Sequence, residues 1–396
     1  MTDHTRRRFL GVAAGAAASA FVAPTAAAAP GALLRPSSLP AAAGRSLPAA
    51  APVLADSPLP VGPGAPFGAY QSEIYIAGMS TGVKPIFTTN LSDLEAVASR
   101  VLSERARRHL ITEAGGRSAA RANRRAMASM RIVPRMFIDR SERDLSTTVL
   151  GAAMPAPVIL GPVARQALAS DQAEIGSALA AAALGLTYTH SSRASLPVEA
   201  VAAATPAAPR WFGLSWPGDS GADPAELMRA QAAGCTHLVL SPPQPGQSWR
   251  PLGAIRRAWD GPIILNGVQT VRDARIAQRR GLDGVVVSNE RGRRGPGSGG
   301  TIRVLPDIAD AVGGRLVVLL GSGVRTGTDV FRSLALGADA VLLGRPYVYG
   351  LALADEEGVR HMLRTLLAEL EIDLAIAGVK SLRGLDESAI VRSPAP

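Results

Sequence analysis

The feature that most constrains the fold is an alternation, repeated eight times, of short apolar runs and Ala-rich helical stretches. Short apolar or β-branched runs bounded by helices are typical of buried parallel strands. The predicted strands are Pro157–Leu160, Leu186–Thr189, Trp211–Leu214, His237–Leu240, Pro262–Leu265, Gly284–Val287, Leu316–Leu320 and Asp339–Leu343. Parallel strands need such helical crossovers, and eight of them close into a barrel. The alternation therefore predicts an α/β protein with a (β/α)8 TIM barrel.

An open, doubly wound sheet is the alternative that the same alternation allows. Such a sheet would carry a glycine-rich fingerprint directly after its first strand. The residues after the first predicted strand read Gly161-Pro162-Val163 and lack that fingerprint. The closed barrel is therefore the favoured architecture.

The N-terminal residues 1–29 have the parts of an export signal. Arg6, Arg7 and Arg8 precede an uncharged run over 11–23, and small residues follow at 26–29. This order is typical of a signal peptide, and paired arginines before Phe9-Leu10 are typical of the twin-arginine route. The run is too short for a stable membrane span. We expect an exported protein of the cell envelope or extracellular space, with an uncleaved anchor or a chance basic start as alternatives.

Three further segments follow the predicted signal. Residues 30–65 are rich in Ala, Pro, Ser and Gly without apolar periodicity, which is typical of a flexible linker. Residues 66–130 are predicted as an N-terminal helical extension, with a capped helix start at 92–95 and helical spacing over 103–130. The barrel itself is assigned to residues 131–392.

Composition excludes several classes of function. The net charge is +10, and almost all of the basic residues are arginines, as in chains from GC-rich bacterial genomes. Because these arginines are scattered and no basic helix is interleaved with aromatic residues, we expect no nucleic-acid partner. None of the five histidines is paired at metal-ligand spacing, and Cys235 is the only cysteine. We therefore expect no metal site and no intrachain disulfide.

Two glycine-rich segments follow the seventh and eighth predicted strands, where barrels of this kind often bind phosphate. They are residues 321–327 and residues 344–346. Glycines let backbone N–H groups approach a phosphate, a helix start adds a positive dipole, and arginines add charge-assisted hydrogen bonds. We predict a phosphate site at Gly323, Arg325, Gly344 and Arg345.

Longer segments resemble one enzyme family. Residues 322–331, 334–338 and 343–352 are similar to the C-terminal third of FMN-dependent 2-hydroxy-acid oxidases, and Phe67–Tyr75 and Ile132–Met136 resemble the lactate 2-monooxygenase branch. The resemblance covers residues 67 to about 381. It implies an FMN-binding barrel, a small 2-hydroxy or 2-oxo acid as partner, and a homo-oligomer, which is a tetramer in relatives.

The resemblance also implies which residues bind FMN. Those expected near its phosphate are Ser322, Gly323, Arg325, Gly344 and Arg345. Those expected along its ring system are Pro162, Val163, Ala164, Ser191, Ser241 and Asn266.

The catalytic end of the family's site is altered in this chain. Glu290 stands where the family has a histidine that takes the substrate proton, and Asn266 stands where a lysine steadies negative charge on reduced flavin. Arg293 keeps the position that binds the substrate carboxylate. The other changed positions, including three where the family has tyrosine or glutamine, are His109, Gly213, Ser215 and Gly321.

Three functions are therefore open. The first is an FMN-dependent oxidoreductase that passes a hydride equivalent from a 2-hydroxy acid to flavin, with Glu290 or His190 moving the proton and Arg293 holding the carboxylate. The second is a catalytically degenerate or repurposed FMN-binding protein, because Arg291, Arg293 and Arg294 would lower the pKa of Glu290 and weaken it as a base. The third is an FMN enzyme of another reaction class.

Overall fold

The computed structural model of the protein describes residues 67–82, 84–111, 118–136, 143–218, 221–241, 248–289 and 300–393. The predicted export signal and linker lie outside the described residues, and so do the predicted catalytic residues Glu290 and Arg293.

Four short helices precede the barrel in the described part of the chain. They are α1 (Ala69–Thr81), α2 (Leu94–Val101), α3 (Glu104–Leu110) and α4 (Ser118–Ala128). The start of α2 differs from the prediction, because a 3-10 turn precedes it and Asn90 provides the cap by accepting the Ser92 N–H at 3.1 Å. Ser103 caps α3 by accepting the Ala106 N–H at 3.2 Å.

Three short strands lie between these helices and the barrel. They are β1 (Met130–Ile132) and the antiparallel hairpin of β2 (Thr147–Val149) and β3 (Ala152–Met154). Sequence periodicity did not predict the hairpin, because three-residue strands are too short to show an alternation.

Eight parallel strands then form a closed barrel within the described part of the chain, which confirms the predicted fold class. The strands are β4 (Val158–Leu160), β5 (Thr187–Ser191), β6 (Arg210–Leu214), β7 (Cys235–Leu240), β8 (Ile263–Val268), β9 (Gly284–Val287), β10 (Val317–Gly321) and β11 (Ala340–Leu343). Their ring order is β10-β11-β4-β5-β6-β7-β8-β9. The open sheet is therefore excluded.

Helices cover the outside of the barrel. Those between or after the strands are α5 (Ala173–Ala183), α6 (Val198–Ala204), α7 (Pro224–Ala232), α8 (Arg250–Ala258), α9 (Val271–Arg279), α10 (Leu305–Val312), α11 (Gly327–Ala335) and α12 (Arg345–Ala377). The last of these is interrupted by non-helical backbone at Ala354 and Asp355. A final strand, β12 (Ile390–Arg392), pairs antiparallel with β1. Among the described helices, none has the length and apolarity needed to cross a bilayer.

The β2–β3 hairpin closes the amino-terminal end of the barrel. Val149 and Met154 of the hairpin pack against the inward side chains of the barrel, including Trp211. His237, near the start of β7, donates from Nε2 to the Leu150 carbonyl at 3.2 Å and stacks on Trp211. With this end closed, the carboxyl ends of the strands provide the open face where barrel enzymes place their sites.

Candidate FMN site

A cavity of about 390 Å³ lies at the carboxyl ends of the barrel strands. Its volume is in the range of small-molecule sites. All of the residues predicted to bind the cofactor line it: Pro162, Val163, Ala164, Ser191, Ser241, Asn266, Ser322, Gly323, Arg325, Gly344 and Arg345. The structure thus brings the predicted set together, and the role of each residue stays a prediction.

The loop between β10 and α11 is held by carboxylates. Asp329 accepts the N–H groups of Arg325 at 3.0 Å and Thr326 at 3.3 Å, and the Thr326 side chain accepts the Asp329 N–H in return. Glu369 of α12 accepts the Gly327 N–H at 2.7 Å. These side chains already satisfy the first N–H groups of α11. The α11 dipole is therefore a weaker contributor to phosphate binding than the sequence predicted.

The start of α12 is different, because its N-cap residue is Gly344, which has no side chain to cap the helix. A Cβ at Gly344 would meet no atom within 4 Å, so the backbone there is open to the cavity. Gly323, which also lines the cavity, has a φ of 100° that disfavours any other residue. Both glycines allow close approach of a phosphate to backbone N–H groups.

Arg325 and Arg345 bring two guanidinium groups to this end of the cavity. Burial lowers the pKa of Arg325, and the charge of Arg345 lowers it further. The ion pair of Arg325 with Glu95 is long, at 3.8 Å. Two neighbouring cations in a largely buried place are stabilised when an anion binds between them. This end of the cavity therefore fits the phosphate of FMN.

Asn266, near the end of β8, fits a hydrogen-bonding ligand edge. Its Oδ1 is buried and finds no hydrogen-bond partner among the described residues. An unsatisfied buried oxygen of this kind costs about 1–3 kcal/mol. Because the side chain lines the cavity, a donor on a bound ring system would satisfy it. The amide is neutral, so it offers no fixed positive charge where the family has lysine.

The loop after β4 is fixed from two sides. His109 of α3 donates from Nε2 to the Ala164 carbonyl at 3.0 Å, so this residue lines the cavity rather than the surface. On the other side, a Cβ at Gly213 would overlap the Pro162 ring. The glutamine that the family has at position 213 therefore does not fit beside Pro162 in this chain.

His190 does not reach the cavity, and the expectation that it moves the substrate proton is wrong. His190 lies on the outer face of β5, in register with Phe212 of β6. The two rings are stacked, with 6.2 Å between their centroids. Burial lowers its pKa to about 4. Successive residues of a strand point to opposite faces, so Ser191 lines the cavity while His190 packs against the helical layer.

Two cavity residues were missed by the sequence reasoning. Arg165 follows the loop after β4 and Arg193 follows β5, and both line the cavity. An exposed loop arginine carries no local signal in a chain this rich in arginine.

Comparison with known proteins gives one consistent result. The family model described as FMN-dependent dehydrogenase matches residues 98–242 and 241–392. An FMN-dependent alpha-hydroxy acid dehydrogenase of Penicillium citrinum is 34% identical, covering 84% of this chain and 98% of the relative. The L-lactate oxidase of Lysinibacillus sphaericus is 29% identical, covering 78% of this chain and 94% of its own. A solved mandelate oxidase variant with (S)-mandelic acid matches with a TM-score of 0.71 and 31% identity over 77% of this chain and 98% of that one.

Proposed function

The chain belongs to the FMN-dependent dehydrogenase family, and from that premise we propose that it is an exported flavoprotein that oxidises a 2-hydroxy acid. The observation that carries the proposal is the cavity, whose lining includes Arg325 and Arg345 at the phosphate end and the unsatisfied amide of Asn266. The names of the relatives describe enzymes that act on 2-hydroxy acids, among them L-lactate and (S)-mandelic acid.

The residues of this chain divide the work as follows. Arg325, Arg345 and the backbone at Gly323 and Gly344 hold the phosphate of FMN, and Asn266 orients its ring edge. Bound FMN supplies the acceptor for a hydride equivalent from the substrate carbon. Arg293 holds the substrate carboxylate, and Glu290 takes the hydroxyl proton. The last two assignments rest on sequence position alone.

A second candidate function is FMN binding without rapid turnover of 2-hydroxy acids. Among the described residues that line the cavity, His109 is the only one whose side chain normally titrates near neutral pH, and it is engaged with the Ala164 carbonyl. Asn266 also supplies no cation. General-base catalysis is worth about two to four powers of ten in rate, and one preorganised charge partner about two to three more.

Anaerobic reduction of the bound flavin separates the two functions. The purified protein is expected to be yellow, and mixing with L-lactate, (S)-mandelate or a longer 2-hydroxy acid is expected to bleach the flavin absorbance. Bleaching by any of them at a rate that Glu290→Gln lowers at least tenfold supports the oxidoreductase. FMN that stays oxidised with every acid supports the binding function, and a protein that takes up no FMN contradicts both.

Export by the twin-arginine route is part of the proposal, since Arg6-Arg7 precede an apolar run. This route carries folded proteins, which suits a protein that loads its cofactor before export. Replacing Arg6 and Arg7 together by lysine is expected to retain the protein in the cytoplasmic fraction. Unchanged distribution of that variant would contradict the route. A homotetramer is proposed from the resemblance, and light scattering of the purified protein tests it.

A further inference from the structure

The mouth of the cavity has two electrostatic halves. Strands β10, β11, β4 and β5 are consecutive in the ring, and an arginine that lines the cavity follows each: Arg325, Arg345, Arg165 and Arg193. The described lining residues at the ends of the other strands are neutral: Ser215, Ser241, Asn266 and Ser288. None of the described residues that line the cavity is an aspartate or a glutamate. A bound phosphate gives Arg325 and Arg345 a role, but it gives none to Arg165 and Arg193.

Arg165 and Arg193 belong to loops that are joined to each other. The Arg165 N–H donates to the Arg193 carbonyl at 3.2 Å, and the Arg193 N–H donates to Ser191 Oγ at 3.2 Å. Arg165 has a φ of 56°, in the left-handed region that residues with a Cβ seldom adopt. A backbone conformation of this kind indicates that the surrounding structure determines the course of the chain at residue 165.

A fully buried carboxylate fixes both loops. Glu174 of α5 accepts the N–H of Gln166, directly after Arg165, at 3.0 Å. It also accepts the N–H groups of Ser195 at 2.8 Å and Leu196 at 3.2 Å, shortly after Arg193. One side chain thus sets the position of both arginine-bearing segments before any ligand arrives, which lowers the entropic cost of binding one.

The guanidinium groups of Arg165 and Arg193 have no neutralising partner among the residues that the structure describes. The hydrogen bonds of these two residues are made by backbone atoms, and neither side chain forms an ion pair or a hydrogen bond with a described residue. Once a phosphate has met Arg325 and Arg345, these two positive charges remain on the same cavity. With the first substrate carboxylate held by Arg293, a ligand with one carboxylate brings no anion to this pair, whereas a ligand with a second carboxylate does.

We propose that Arg165 and Arg193 form a second anion subsite for a substrate carboxylate, and that the preferred substrate is a 2-hydroxy acid with two carboxylates. The proposal rests on the proposed function, which provides the 2-hydroxy acid. The additional carboxylate lies at the β4–β5 rim, and the guanidinium groups bind it by charge-assisted hydrogen bonds. The subsite acts in binding and selectivity, and it takes no part in proton or hydride transfer.

Matched ligands test the subsite by equilibrium binding. Isothermal calorimetry of the purified flavoprotein compares L-malate with L-lactate, which lacks the second carboxylate group. It also compares L-malate with (S)-2-hydroxybutyrate, a monocarboxylate that has the same number of carbon atoms. We expect L-malate to bind at least tenfold more tightly than either. Arg193→Gln and Arg165→Asn, the latter because asparagine tolerates a positive φ, are each expected to weaken L-malate about tenfold and L-lactate less than twofold.

Arg275→Gln is the matched control, because Arg275 is an exposed arginine in a different groove, on α9. It is expected to leave the L-malate affinity unchanged. Equal affinity of the native protein for L-malate and L-lactate, or an unchanged L-malate affinity in Arg193→Gln, overturns the subsite. If L-malate binds through the two arginines but no 2-hydroxy acid reduces the flavin, the subsite stands and the proposed function fails.

Discussion

The substitution Glu174→Gln tests whether one buried carboxylate organises the β4–β5 side of the site. Glu174 is fully buried. Its Oε1 accepts N–H groups from Gln166 and Ser195, and its Oε2 accepts the N–H of Leu196. Glutamine has nearly the same shape but keeps only one oxygen, and its NH2 group must face at least one backbone donor. The change therefore removes charge and one acceptor without creating a large cavity.

The expected cost follows from these contacts. Leaving one buried N–H without an acceptor costs about 1–3 kcal/mol, and the remaining bonds lose the part of their strength that comes from the ionised acceptor. Together these give a loss of about 2–4 kcal/mol in the free energy of unfolding. A loss of this size is well above the ±0.5 kcal/mol that is usual for surface substitutions.

Urea titration followed by tryptophan fluorescence measures this loss, because Trp211 and Trp259 are buried in the fold. Glu199→Gln is the control, since Glu199 lies in an exposed ion pair with Arg229 at 2.9 Å and exposed pairs contribute about 0–1 kcal/mol. If Glu174→Gln is as stable as Glu199→Gln, the carboxylate does not hold the loops, and the preorganisation of Arg165 and Arg193 has no support.

Three further changes test the phosphate end. Arg325→Met is expected to weaken FMN about tenfold or more, the loss of one charge-assisted hydrogen bond, and an unchanged dissociation constant by flavin fluorescence would contradict this. Gly327→Ala places a Cβ against the Leu366 carbonyl and the Leu370 N–H, so we expect the free energy of unfolding in urea to fall by about 1–3 kcal/mol. An unchanged urea midpoint would show that α11 and α12 can move apart without loss of stability. Burial raises the pKa of Glu369 to about 7, and nearby carboxylates add to the shift. The folded protein then holds this proton above the usual pKa, so stability falls as pH rises from about 4.5 to 7, and Glu369→Gln should remove that slope in urea titrations.

The barrel was predictable because its strands are buried on both faces. Runs such as 284–287 and 340–343 are apolar without alternation, and their spacing along the chain leaves room for one helix each. The β2–β3 hairpin and β12 were not predictable, since strands of three residues have no measurable period. Their pairing is decided by contacts between residues that are distant in sequence.

Within the site, the grouping of the predicted residues around one cavity was predictable, and the orientation of individual side chains was not. Gly323 and Arg325 sit in a local segment whose chemistry already indicates an anion. His190 and Ser191 are adjacent, and only the register of β5 with β6 decides that the serine lines the cavity. Arg165 and Arg193 are likewise joined by loop hydrogen bonds that no local pattern encodes.

The order of the strands in the barrel predicts that substrate affinity and the rate of flavin reduction depend on different residues of this cavity. Strand β8, which carries Asn266, lies four strands from β4 in either direction, so Arg165 is across the mouth from the position where the family has lysine. Coulomb attraction weakens with distance and with solvent, so the arginines at β4 and β5 stabilise a bound carboxylate without replacing a cation beside Asn266. A charge that stabilises ground state and transition state equally raises affinity and leaves the rate unchanged.

Asn266→Lys is therefore expected to speed flavin reduction with little change in L-malate affinity, whereas Arg193→Gln is expected to lower that affinity with little change in the limiting rate. If both variants move the same quantity in stopped-flow reduction, the two halves of the mouth act as one site and the separation is refuted.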